Sequence, residues 1–401
     1  MPCPTCATRR LAVLPGVVLV LGCANGMGSD SPGWSGTVDT LASGQIVVSN
    51  PRTGVWGEGE GWTVTEDLRI GAVDDPGPYQ LGRVIALDVD GHGRIWALDA
   101  QANVIRVFAR DGHHVRTVGR EGGGPGEFAG PAHMEFGPDG RLRVPDPQNN
   151  RISVIDTTGA FVDSRRMEGG FFVSPWPGGF DRDGFYYSPI PFDYGDGEFG
   201  LALVRLDRDF TPVDTIPDLR SPLTRDAFEV RDGEGGGLIA SVPYSPGFRT
   251  ARSPGGTTWG LLTGPYRFFE VDADGDTVLS VEVSFDPLPV TAADREAAVE
   301  ELSWFTDQGG RVDPSRIPDT KPAAWSLFID DADHVWVDRV TSNPGGRDFD
   351  VFDPAGRLLG RVTLPWPLGS VRLVIGDRIY GVTSDELGVQ YIVRGTIHRG
   401  G

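Results

Sequence analysis

The chain has 401 residues, 39% of them hydrophobic, with 57 glycines, 32 prolines and a formal net charge of −20. So much glycine and proline suits short strands and tight turns and argues against a helical bundle, while the acidic surplus repels nucleic acid phosphates and so excludes that partner. The length does not demand two domains, because all-β barrels and propellers run past 200 residues as one unit.

Residues 1–10 carry Arg9 and Arg10 and no acid, residues 11–22 (LAVLPGVVLVLG) are apolar, and Cys23 follows at once. This is the order of a signal peptide over 1–22. The run is too short for a permanent span, which takes about twenty residues, and Pro15 argues against a buried helix. Val20, Leu21, Gly22 and Cys23 resemble the lipobox of bacterial lipoproteins. The resemblance implies an exported chain with Cys23 acylated, a lipidated linker over 23–35, and a membrane as partner through the anchor. Soluble secretion after cleavage nearby is the alternative. Ala24 is not the Asp that retains many lipoproteins in the inner membrane, which favours the outer one. Cys3 and Cys6 precede the apolar run and leave with the leader. The mature chain then has no thiol for a disulfide or a nucleophile.

From residue 36 to 399 the sequence reads as short strands. Residues 86–118 laid over 133–165 match without a gap at a shift of 47: Asp90-Gly91-His92-Gly93-Arg94-Ile95-Trp96 falls on Gly137-Pro138-Asp139-Gly140-Arg141-Leu142-Arg143, and Asn103-Val104-Ile105 on Asn150-Arg151-Ile152. Each unit is four strands joined by Gly-containing turns, the pattern of a propeller blade. Degenerate copies lie at 178–210 and 257–276, and a clearer one runs from Ile329 to Arg357; residues 37–50 and 371–393 also read as blade strands. Before the last full copy, Thr291-Ala292-Ala293-Asp294 reads as a helix start, with Ala298, Leu302 and Phe305 on one face and Pro314, Pro318 and Pro322 beyond. A short helix near 291–306 within an insertion over 291–322 is expected. It packs against the propeller's side or base, or forms a lid over the channel.

The glycine-rich GREGGGPGEF with Gly119, Gly122, Gly126 and Phe128, followed by Asp146, Asn149, Asn150, Arg151 and Ile152, resembles the NHL-repeat family and the bacterial six-bladed propeller lipoproteins. The resemblance implies an all-β, single six-bladed β-propeller of four-stranded antiparallel blades, closed by pairing the two ends of the chain in one blade. Seven blades is the alternative, because the mature chain is longer than six such units require.

In a propeller the second-to-third-strand loops and the inter-blade links share one face. Here that face carries Asp99, Asn103, Asp146, Asn149, Asn150, Arg151, the link 119–130 and the loop 192–199 with Asp193, Tyr194 and Glu198. Asn103, Asp146, Asn149, Arg151, Asp193, Tyr194 and Glu198 are the ligand-binding candidates, against the plainer reading of Asp and Asn as turn caps. Asp272-x-Asp274-x-Asp276 fails the calcium-loop pattern, with Thr277 at position six, and reads as a hairpin tip. His133 opens an inner strand with Glu135 on the same side. These two are the only metal-ligand candidates, and one strand cannot make a site. No Gly-x-Ser-x-Gly elbow is present. The sequence therefore supports a noncatalytic module that binds a protein, peptide or glycan without a cofactor. The alternative is a divalent-metal lactonase or lyase holding calcium or zinc in the channel, as on other six-bladed propellers.

Overall fold

The computed structural model describes residues 33–73, 77–166, 179–193, 199–217, 219–231, 236–341 and 347–400. Six four-stranded blades form a closed propeller. In chain order their innermost strands are Val84–Val89, Glu135–Phe136, Gly179–Phe180, Phe248–Arg252, Ala324–Ile329 and Arg372–Ile375, opening blades 1 to 6. Blade 6 takes its outermost strand, Thr63–Ile70, from the start of the propeller, antiparallel to Gln390–His398 near its end. This is the expected closure.

Local chemistry explains why the repeat folds this way. In blade 1, Asp90 Oδ1 accepts the amides of His92 (2.9 Å) and Arg94 (3.0 Å), Gly93 turns at φ +75°, and Trp96 Nε1 donates to Asp90 Oδ2 (2.9 Å). One aspartate thus shapes the first turn and holds the indole buried on the next strand. Blade 5 repeats this with Asp330 and Trp336 (3.0 Å), and blade 3 substitutes the Tyr187 hydroxyl on Asp181 (2.8 Å). At the third-to-fourth-strand turn of blade 4, Asp272 Oδ1 accepts the amides of Asp274 and Asp276, both at 3.0 Å. That triplet is a turn.

The apolar cores lie between neighbouring blades. Trp96, Leu98, Leu142 and Val144 join blades 1 and 2; Phe268, Val281, Val335 and Phe352 join blades 4 and 5; Trp336, Phe349, Ile379 and Val393 join blades 5 and 6. Between blades 3 and 4, the Arg252 guanidinium sits 3.4 Å from the centre of the Tyr187 ring.

The surplus length does not build a seventh blade. Thr37–Thr40 and Ile46–Asn50 form a hairpin on the outer edge of blade 4, where Ile46–Asn50 runs parallel to Thr277–Val283. Buried Asn50 accepts from Leu358 N–H (2.7 Å) and donates to Gly356 O (2.9 Å), and the amides of Val55 and Trp56 bond to Leu358 O and Leu359 O. A Cβ on Gly54 would run into the Leu359 backbone, so only glycine permits this approach. The segment is a belt over blades 4 and 5 before it enters blade 6.

The remaining length forms a small unit of its own. Helix α1, Ala292–Glu301, starts at Thr291 with a full capping box to Asp294, and α2 spans Ser303–Thr306. Ala298, Leu302 and Phe305 pack on Phe228 and Ala240 of a hairpin, Ala227–Arg231 with Gly237–Ser241, from the preceding inter-blade link. Both insertions interrupt links that carry the chain from an outermost strand to the next innermost one. They leave and re-enter the propeller on the link side, opposite the turns that join first to second and third to fourth strands.

Candidate functional site

The inner strands line a half-open cavity of 420 Å³ on the propeller axis, with residues from all six blades: Asp88 from blade 1, His133 to Phe136 from blade 2, Phe180 from blade 3, Arg252 from blade 4, Ile329 from blade 5 and Arg372 from blade 6. Its volume is that of a small-molecule site.

Asp88 and Glu135 occupy the same place in successive repeats, and each reaches to the next blade. Phe136 N–H donates to Asp88 Oδ2 (2.6 Å), and Phe180 N–H donates to Glu135 Oε2 (3.1 Å). Asp88 Oδ1 also accepts from Val89 N–H (2.7 Å). These carboxyls lash three innermost strands together while facing the cavity. Burial raises Asp88 to about 6 against its amide bonds, and burial reinforced by the charge on Asp88 raises Glu135 to about 8. Burial lowers His133 to about 4; its Nε2 lies 4.0 Å from Glu135 Oε2. At neutral pH the wall therefore presents an ionised Asp88, a neutral imidazole, and a carboxylic acid on Glu135 able to donate a hydrogen bond.

The cations come from the opposite arc. Arg372 Nη2 donates to Ser326 Oγ (2.6 Å), Nη1 lies 3.6 Å from Asp338 Oδ2, and the guanidinium lies 5.0 Å from the centre of the Phe328 ring. Arg252 Nη2 donates to Gly256 O (2.5 Å) and Nη1 to Thr258 Oγ1 (3.2 Å).

His133 and Glu135, the metal-ligand candidates of the sequence, line this cavity together with Asp88, Arg252 and Arg372, which the sequence does not single out. The repeat shift that pairs Asp90 with Gly137 also pairs Asp88 with Glu135 and supplied the missing signal.

The loop-face candidates sit elsewhere. Asp146 is fully buried; its carboxylate accepts Ala129 N–H and Gly130 N–H, both at 3.0 Å, and Asn149 Nδ2 at 2.7 Å. Arg151 donates to the carbonyls of Gly123, Gly124 and Glu127, and Asn149 also to that of Gly122. Together they pin the glycine-rich link, as Asp99 pins the amides of Gly82 and Arg83 in blade 1. Asn103 (φ +53°) and Asn150 (φ +51°) hold equivalent left-handed turn positions, which Asn tolerates. Asp193 is exposed at the end of Tyr186–Asp193. Tyr194, Glu198, Cys23 and residues 1–22 lie outside the described residues. A second recess, of 510 Å³, opens between blades 6 and 1 beside Asp99, Gln101 and Leu387.

Among the described residues no three His, Cys, Asp or Glu side chains are grouped to hold one metal ion. No helix among them is long and apolar enough to cross a membrane.

No protein-family model and no curated protein sequence matches the chain. Solved structures do. The "Putative exported protein" of Bacteroides fragilis aligns at TM-score 0.50 and 13% identity, over 88% of this chain and 99% of the other. A DUF4221 member from Bacteroides vulgatus aligns at 0.45 and 12%, over 84% and 98%. Virginiamycin B lyase from Staphylococcus aureus aligns at 0.42 and 10%, over 84% and 99%. At these identities the likeness is one of fold, and the chain is a six-bladed β-propeller of the architecture found in the Bacteroides fragilis protein.

Proposed function

We propose that this protein is an exported, membrane-anchored binding module of the cell envelope that takes up part of a protein, peptide or glycan in its axial cavity without transforming it. The carrying observation is the cavity itself: hydrogen-bond donors, acceptors and two aromatic side chains converge from six blades on one 420 Å³ space. On the loop face, by contrast, Asp99, Asp146 and Arg151 are engaged in holding links.

The test is an array of glycans and peptides probed with the mature domain and with Ile329→Trp, which sets an indole in the cavity. Binding that falls about tenfold or more in the variant supports the reading. Undiminished binding moves the ligand to the outer loops.

Anchoring rests on the Val20-Leu21-Gly22-Cys23 run and accords with the export named for the Bacteroides fragilis protein. Labelled palmitate is expected in the wild-type chain and absent from Cys23→Ala, which then leaves the membrane fraction because stable anchoring needs the acyl chains. An unlabelled wild-type chain in the soluble fraction means simple secretion.

A further inference from the structure

The charge of the channel wall runs against the charge of the chain. Most ionisable groups give this protein a strong negative field, with a net −20. Yet at the junction of blades 5 and 6, the single buried carboxylate of Asp338 is shared by two arginines: Arg347 pairs with Oδ2, and Arg372 approaches the same oxygen at 3.6 Å. Asp338 keeps only 1% of its side-chain surface exposed, and Arg372 9%. Two cations on one anion leave positive charge in the wall at the junction of blades 5 and 6, and Arg372 is one of the residues that line the cavity. Arg252 from blade 4 lines the cavity as well, with its guanidinium over the Tyr187 ring between blades 3 and 4. A low-dielectric recess strengthens the pull of such groups on an anion, and a guanidinium fork matches a carboxylate.

The rest of the lining is suited to hydroxyls and an apolar ring face. Asp88 accepts, neutral His133 accepts or donates, and protonated Glu135 donates; Phe136 and Phe180 supply carbon surface beside them. Donors and acceptors spaced around carbon surface fit the alternating hydroxyls and C–H face of a pyranose better than a peptide side chain, which carries one polar group at its end.

Resting on the reading that the axial cavity is the binding site, we infer that its ligand is a carboxylate-bearing sugar, a uronic acid unit of an acidic glycan, with the carboxylate directed to Arg372. Asp338 and Arg347 act as positioning residues that hold the Arg372 guanidinium at the wall.

Calorimetric titration of the mature domain at pH 7 with matched probes tests this: methyl glucuronoside as the acid, its amide, and an acetyl-aspartyl peptide. The acid should bind about tenfold more tightly than the amide in the wild type, the preference should collapse towards one in Arg372→Gln, and Arg372→Lys, which keeps the charge without the fork, should retain only part of it. The ratio of acid to amide is unaffected by a general loss of stability, and the lysine variant separates charge from fold. Equal binding of acid and amide by the wild type overturns the anionic sugar and leaves channel binding standing. Tighter binding of the peptide overturns the sugar in favour of a peptide ligand. If none of the three binds, the uronic acid inference falls, and the array with Ile329→Trp decides the channel reading separately.

Discussion

Asp146→Ala is expected to destabilise the fold by about 2–4 kcal/mol, because it strips acceptors from the Ala129 and Gly130 amides in a half-buried link. The Asp146 side chain is wholly buried, so water replaces the lost bonds only if the link shifts. Chemical denaturation of the two chains measures the difference. The result separates a strut from a ligand-binding residue: a ligand residue facing solvent would leave stability within about 0.5 kcal/mol and act on affinity alone. A variant of wild-type stability would return Asp146 to the binding candidates.

The second large effect is a pH dependence. Glu135 titrates at about 8 in the folded chain against an ordinary 4.5. The folded state therefore holds a proton that the unfolded state has lost, and stability falls as pH rises through 8. Asp88, raised to about 6, acts in the same direction at lower pH, whereas His133, lowered from 6.5 to about 4, acts in the opposite one. Between pH 4 and 6 these two offset each other. From about 6.5 to 8 Glu135 acts alone within this group, with a loss of roughly 1–2 kcal/mol once its 30% side-chain exposure is allowed for. Glu135→Gln keeps an acceptor for Phe180 N–H and cannot ionise. Its stability should stay level from pH 6.5 to 8.5 and exceed the wild type's at the upper end. Parallel curves for the two chains would show that Glu135 is ionised throughout.

The parts of the fold legible in the sequence were those where one residue does a local job. Asp90 with Trp96 and Asp330 with Trp336 repeat because a turn and a buried indole can be satisfied by one carboxylate six residues away. Blade 4 carries a weaker signal because there Ser253 and Thr257, with Glu270, take the place of the aspartate at the turn. The capping of α1 by Thr291 was visible for the same reason: the bond spans three residues.

Partnership between distant segments was less visible. Residues 37–50 alternate as a strand should, but alternation does not say which edge a strand joins, and the hairpin lies outside blade 4 while Thr63–Ile70 closes the ring. The hairpin under the helices carries no local signal because its partners lie in a later link. At the site, Asp88 has no feature of its own beyond its repeat position, and Arg252 and Arg372 lie in blades whose turns have drifted. Only closure of the ring brings them to one cavity.

Hydrogen–deuterium exchange on the mature domain with and without the best ligand from the array locates binding most directly. Added protection is expected in the inner-strand peptides covering 84–89, 133–136, 248–254 and 324–329, with the turns at 99–104 and 146–151 unchanged. Protection confined to those turns, with the inner strands unaffected, would place the ligand on the loop face and overturn binding in the axial cavity.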